Sequence, residues 1–170
     1  MIQFMTDIRR SNYAAIAAGL LAGLAAAMPA AAAPPNATVT VNATVLGVCK
    51  FTTTTATVTI SNGGAGTTID PSLLNGDATG TATLDYKCTK GRTPGFTLNP
   101  TSPTSVVCST SGTCGTESMP VTLTLSAVSP GAGFGAAAQT VTVTGTITQA
   151  NYENASEGTY TRNVTVQITP

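Results

Sequence analysis

The sequence predicts an all-β protein, a sandwich of two sheets, on three observations. Beyond residue 33, apolar residues recur at nearly every second position, threonine fills many of the places between them, and no stretch carries a convincing apolar stripe at the helical period. Threonine is the β-branched residue that half-buried strands use on their wet face. Charged residues make up only 8% of the chain, so the composition also argues against helix.

The elements follow in order. Ala37, Val39, Val41, Ala43 and Val45 alternate with Thr38, Thr40, Asn42 and Thr44, a strand pattern with one apolar and one polar face. Val58 and Ile60 extend a threonine-rich strand that begins at Thr52. Residues 62–66 read as a turn, and Asp70-Pro71 and Asn75-Gly76 bound an irregular stretch carrying Leu73 and Leu74. Ala82, Leu84, Tyr86 and Cys88 share one strand face. After a reversal at residues 90–95, Phe96 and Leu98 form a strand that Pro100 stops. Residues 101–115 read as a loop. Val121, Leu123 and Leu125 mark the next strand, residues 129–135 a glycine-rich connection, and Val141, Val143, Gly145 and Ile147 a strand alternating with four threonines. A polar loop at 149–158 leads to a terminal strand over 159–169, with Tyr160, Val164, Val166 and Ile168 on one face and Arg162 interrupting it. About seven short strands with Gly and Pro turns indicate a sandwich of immunoglobulin-like type.

Residues 1–32 differ in kind and read as a signal peptide. A polar start with Arg9 and Arg10 leads into an apolar run over 13–27, and Ala30, Ala31 and Ala32 supply the small side chains signal peptidase requires. The run is shorter than the roughly 20 apolar residues of a membrane span. Cleavage is expected after Ala32, because cutting after Ala33 would leave Pro34 at the new terminus; a cut after Ala30 is the alternative. Ser11, Asn12 and Tyr13 fit a twin-arginine signal poorly, which favours the general secretory route. The rest is one domain's worth of chain, an N-terminal extension over 33–46 and a sandwich over 47–170. Asp7, Arg9 and Arg10 leave with the signal, so six acidic residues face five basic ones and nothing attracts a nucleic acid.

Cys49, Cys88, Cys108 and Cys114 all lie in the exported part, where an even number of cysteines reads as disulfides. A zinc site would need C-x-x-C or histidine ligands, and the chain has neither. Cys108 and Cys114 flank a short segment that turns back on itself, so local pairing is natural and leaves Cys49 with Cys88. The absence of histidine also removes Ser-His and Cys-His nucleophiles, and the mature acidic residues are scattered over turns and loops. No catalytic or metal-ligating residue, cofactor or small-molecule substrate is assigned; the expectation is a protein that is not an enzyme.

Three motifs taken together carry a resemblance. They are Leu46-Gly47-Val48-Cys49, the strand from Ala82 to Cys88 followed by Thr89-Lys90-Gly91, and the ending Gly158-Thr159-Tyr160-Thr161-Arg162-Asn163-Val164-Thr165-Val166. In order and spacing the chain resembles the spore coat protein U domain family, which also supplies subunits of archaic chaperone-usher pili. Cys108 and Cys114 are a further pair that many members lack. The resemblance implies an immunoglobulin-like domain lacking its last strand, completed by a donor strand from a neighbouring copy. It also implies a periplasmic chaperone and an outer-membrane usher as partners, and a place in a surface fibre serving adhesion or biofilm formation. Ala37, Val39, Val41, Ala43 and Val45 are then the candidate donor face, and Tyr160, Val164, Val166 and Ile168 the terminal edge strand left without a neighbour. The alternative is a self-contained secreted or coat protein that acts by surface binding, with residues 37–45 as its own first strand.

Overall fold

The computed structural model describes residues 36–63, 67–110 and 113–170. The signal peptide and its cleavage site, residues 33–35 of the extension, residues 64–66 of the predicted turn and residues 111–112 lie outside them. The chain divides into two compact units, Met1–Asn42 and Ala43–Pro170. Of the first unit, residues 36–42 are described; they form no strand, and Val39 and Val41 are 81% and 86% exposed.

The second unit is all-β apart from one helical turn. Its elements are β1 (Cys49–Phe51), β2 (Ala78–Cys88), β3 (Gly95–Asn99), β4 (Thr104–Thr110), β5 (Ser118–Leu125), β6 (Gln139–Ile147), α1 (Gln149–Tyr152), β7 (Thr159–Thr161) and β8 (Thr165–Thr169). Six strands form one antiparallel sheet in the order β1-β2-β6-β5-β4-β7, and β3 pairs with β8 in a second.

The register of β2 against β6 explains the core. Ala78 faces Ile147, Ala82 faces Val143 and Leu84 faces Val141, while Thr79, Thr81 and Thr83 face Thr146, Thr144 and Thr142. With a side-chain period of two, the apolar pairs share one face and the threonine pairs the other. On the apolar face, Leu84, Tyr86, Val141 and Val143 form one buried cluster, against which Phe96 of β3 and Val166 and Ile168 of β8 pack. Tyr86 and Phe96 meet edge to face at 5.3 Å, and the Tyr86 hydroxyl donates to the Ser129 carbonyl at 3.1 Å. A fully buried side chain of this size contributes about 1.5–3 kcal/mol. A second cluster, of Ala78, Met119, Val121, Ile147 and Tyr152, lies at the other end of the same sheet.

Four sequence expectations are corrected. Residues 52–60 are not a strand: Thr52 and Thr53 both donate to the Asp85 carbonyl, and the chain then leaves the edge of β2 and leans over the sheet face. The expected loop at 101–115 contains β4, where Val106 faces Met119 in a regular ladder; Pro100 and Pro103 just before it and the few apolar residues concealed it. The expected single strand at 159–169 is two strands on different sheets. Tyr160 lies in β7 opposite Cys108, Val166 and Ile168 lie in β8 against β3, and Val164 lies in the crossing between them, next to the exposed Arg162-Asn163 pair. The loop at 149–158 begins with the single turn α1, too short for periodicity to reveal.

Both disulfides have the expected partners. Cys49 faces Cys88 across β1 and β2 with Cα atoms 4.1 Å apart, and Cys108 joins Cys114 with Cα atoms 6.0 Å apart. Two disulfides point to an oxidising, extracytoplasmic setting. No helix among the described residues is long and apolar enough to cross a membrane.

The bridged cysteines are 39 and 6 positions apart, for which loop-closure entropy gives about 3.9 and about 2.2 kcal/mol. Replacing Cys49 and Cys88 by serine should therefore lower the urea midpoint more than replacing Cys108 and Cys114. Equal midpoints for the two double variants would contradict the loop-length argument.

Candidate functional site

Gly80 of β2 and Gly145 of β6 stand directly opposite each other. Gly80 has no room for a side chain, and Gly145 is tightly covered by neighbouring side-chain ends. The Thr59 carbonyl oxygen occupies the place of a Cβ on Gly80, and a Cβ on Gly145 would come within 3.0 Å of Ile60 Cδ1 and 3.1 Å of Val58 Cγ1. The bare pair is a saddle over which residues 57–60 cross the inner face of the sheet. Among the described residues these four form no backbone-to-backbone hydrogen bond; pairing resumes at Ser61, which exchanges two bonds with Thr79 at 3.0 and 2.9 Å.

Beyond that crossing lies a groove of about 770 Å³. Its floor is apolar: buried Met119, Ile147 and Tyr152, with half-buried Val106 beside them. Residues 57–60 and 67–69 form the near wall and residues 155–161 the far wall. Tyr152 reaches under the groove and donates to the Gly76 carbonyl at 2.6 Å, with the Leu73 carbonyl at 3.2 Å. Buried Asn62 fixes the near wall, donating to the Asp70 carbonyl at 2.7 Å and accepting the Asp70 N–H at 2.9 Å.

The far wall is held from the β4–β5 hairpin. The Cys108–Cys114 bridge closes that hairpin, and Gly158 lies so close to Cys114 Sγ that no side chain would fit there. Ser109 donates its hydroxyl to the Thr159 carbonyl at 3.1 Å, and the Ser156 N–H donates to the Glu117 carboxylate at 3.2 Å. The Tyr160 hydroxyl donates to the Ser156 carbonyl at 2.9 Å. Hydrogen bonding by the Ser156 side chain, with help from its N–H and from Tyr160, holds the Glu117 carboxyl below the usual glutamate range, against the opposing effect of burial. Burial, reinforced by the Glu117 charge, pushes the Tyr160 phenol up.

β7 is the last strand of its sheet, so beside the groove one strand edge has no partner among the described residues. An apolar floor between an unpaired segment and an open strand edge suits an extended apolar peptide, whose backbone can bond while alternate side chains descend. No group of three or more His, Cys, Asp or Glu side chains that could hold a metal occurs among the described residues.

Of the residues singled out in the sequence, Tyr160 lines this groove and Cys108 and Cys114 brace its wall. Cys49, Cys88, Val166 and Ile168 belong to the other cluster, and Val164 is in neither. Val45, like Val39 and Val41, is exposed, at 80%. Gly80, Glu117 and Ser156 were not apparent beforehand. The available signal was Gly145, alone within an alternating strand, where a glycine marks close approach of another backbone. Comparison with protein-family models, with curated proteins and with solved structures gave no match.

Two outcomes are expected. Gly80→Ala should displace residues 57–60 and destabilise the fold by about 1–3 kcal/mol in urea titration, whereas an unchanged midpoint would show that the saddle is not needed. Glu117 has a depressed carboxyl pKa in the fold, so its contribution is present above the ordinary glutamate range and lost as pH falls through the folded value. The protection factors of the amides in residues 156–160, taken against the intrinsic rate at each pH, should fall on acidification through that window, and Glu117→Gln should remove the pH-dependent part. A wall equally protected at both pH values in the native chain would refute the role given to Glu117.

Proposed function

We propose that this chain is the structural subunit of a surface fibre, assembled by donor-strand exchange, and not an enzyme. The observation that carries this reading is the apolar groove bounded by unpaired backbone in a chain that also presents an alternating apolar segment to solvent. In this reading the domain is an immunoglobulin-like sandwich one strand short. Residues 37–45 of a neighbouring copy enter the groove, with Ala37, Val39, Val41, Ala43 and Val45 toward its floor. Burying the three valines contributes on the order of 5 kcal/mol, and the donor backbone extends the ladder of an open edge. Before assembly a groove of this kind needs a cover, which is the part of a periplasmic chaperone, and export as a fibre needs an outer-membrane usher. Adhesion or biofilm formation is the corresponding role at the cell surface.

The donor face is tested by two neighbouring substitutions. Val41→Asp places a charge where the groove offers no partner, at a cost of several kcal/mol, and Thr40→Asp places it on the face that remains in water. Multimers that resist detergent should disappear with Val41→Asp and persist with Thr40→Asp, while both chains stay folded and fully oxidised. If Val41→Asp also unfolds the isolated chain, the segment is the domain's own first strand and the fibre reading is wrong.

A further inference from the structure

The described charges separate toward opposite ends of the second unit. Lys50 and Lys87 face each other across β1 and β2, and Lys90 and Arg92 follow in the turn after β2. At the other end stand Asp70, Asp77, Glu117, Glu153 and Glu157. Asp70 is bonded to Asn62 in the near wall, Asp77 accepts the Gln149 N–H at 3.1 Å, and Glu153 caps α1. Glu117 is bonded to Ser156, and Glu157 itself lines the groove. Only Asp85 and Arg162 depart from this division, and Asp85 is engaged by the Thr140 hydroxyl at 3.0 Å.

β2 runs from one end to the other, and its 11 residues span about 36 Å at some 3.3 Å each. That is several Debye lengths at physiological salt, so the two poles do not neutralise each other within one copy. The Lys50–Lys87 pairing is itself unfavourable, because like charges directly opposite on a sheet repel. Within the second unit, the residues that lead into β1 lie at the basic pole: the Leu46 carbonyl accepts the Thr89 hydroxyl at 3.0 Å, and the Arg92 side chain lies over Gly47. The groove opens at the acidic pole.

We infer that the basic pole of one copy docks on the acidic pole of the next, and that this contact between copies steers head-to-tail assembly. The inference rests on the donor-strand reading, since the stem of the donor segment and the mouth of the groove carry the opposite charges. Complementary charge acts mainly on encounter rate and on rejection of wrong orientations, while strand insertion supplies the lasting stability. Two acidic poles, or two basic ones, repel, so head-to-head encounters are disfavoured.

The test uses the mature chain exported from the full-length sequence, in native form and in three variants. They are Lys50→Glu with Lys90→Glu, Glu153→Lys with Glu157→Lys, and all four substitutions together. Each is first checked for both disulfides and an unchanged urea midpoint; Lys90→Glu and Glu157→Lys alone replace a pair that fails this check. The rate at which detergent-resistant multimers form is then followed at about 20 mM and about 500 mM salt, conditions of weak and strong screening. Each single-pole variant should assemble roughly tenfold or more slowly at low salt. The fourfold variant, whose poles are again complementary, should recover, and high salt should bring all four chains together. Equal rates for all four chains at low salt would overturn the steering role and leave strand exchange standing, because resistant multimers still form. If the native chain forms no resistant multimers at either salt, the donor-strand reading fails and the docking inference falls with it.

Discussion

The pairing of β2 with β6 is the constraint from which the rest of the molecule follows. Its register aligns alanine and leucine on one strand with valine and isoleucine on the other, and threonine with threonine. A slip of one residue would turn every apolar side chain to solvent and every threonine to the core, so the register is strongly specified. The same register sets Gly80 against Gly145. The pair that lets residues 57–60 cross the sheet is thus fixed by the alternation that builds the core. Moving either glycine by one residue would put a threonine in its place, with its side chain in the path of that crossing.

The elements that could be read from sequence are those whose burial is simple. β2, β5 and β6 each keep one face in the core, and their alternation is complete. β4 was missed because it follows two prolines, runs into the segment closed by the Cys108–Cys114 bridge, and offers Val106 alone to the interior cluster. Residues 52–60 failed for the opposite reason: threonine, valine and isoleucine suit a strand, but β-propensity measures fit to a pleated, half-buried surface and cannot say whether a partner edge exists. The break at Arg162-Asn163 was visible as an interruption, yet the transfer from one sheet to the other is a property of topology, to which local sequence is blind. The cysteines were the most informative residues. Proximity in sequence accounts for one pair, and strand register places the other side by side.

The groove is shaped before anything enters it. Its far wall packs Ala155 and Tyr160 against the second cluster and is further held by a bridge, a carboxylate and two hydroxyls, from one hairpin or from the wall itself. Its near wall rests on the glycine saddle and on Asn62. Ordering a wall at the moment of binding would cost about 0.5–1.5 kcal/mol for each side chain immobilised, and a wall already fixed avoids that cost. In the proposed donor-strand reading, a segment with regular alternation meets a fixed template, which favours register-specific occupation over loose apolar adsorption.

Strand edges show the same economy. An exposed edge invites pairing, and lysine is a common means of preventing it. β1, at one end of the six-stranded sheet, carries Lys50 opposite Lys87, so a strand approaching there meets two positive charges on the outermost pair of the ladder. β7, at the other end, is Thr159-Tyr160-Thr161, without charge and with Tyr160 turned into the groove. The two ends of one sheet are thus treated differently, one guarded and one receptive. The receptive edge lies beside the groove whose floor needs apolar cover, so an incoming strand gains backbone pairing and side-chain burial in one position. At the guarded edge it would gain the first alone and meet repulsion. In the fibre reading proposed here, that asymmetry gives association a direction, which an open-ended fibre requires and a closed, symmetric dimer does not.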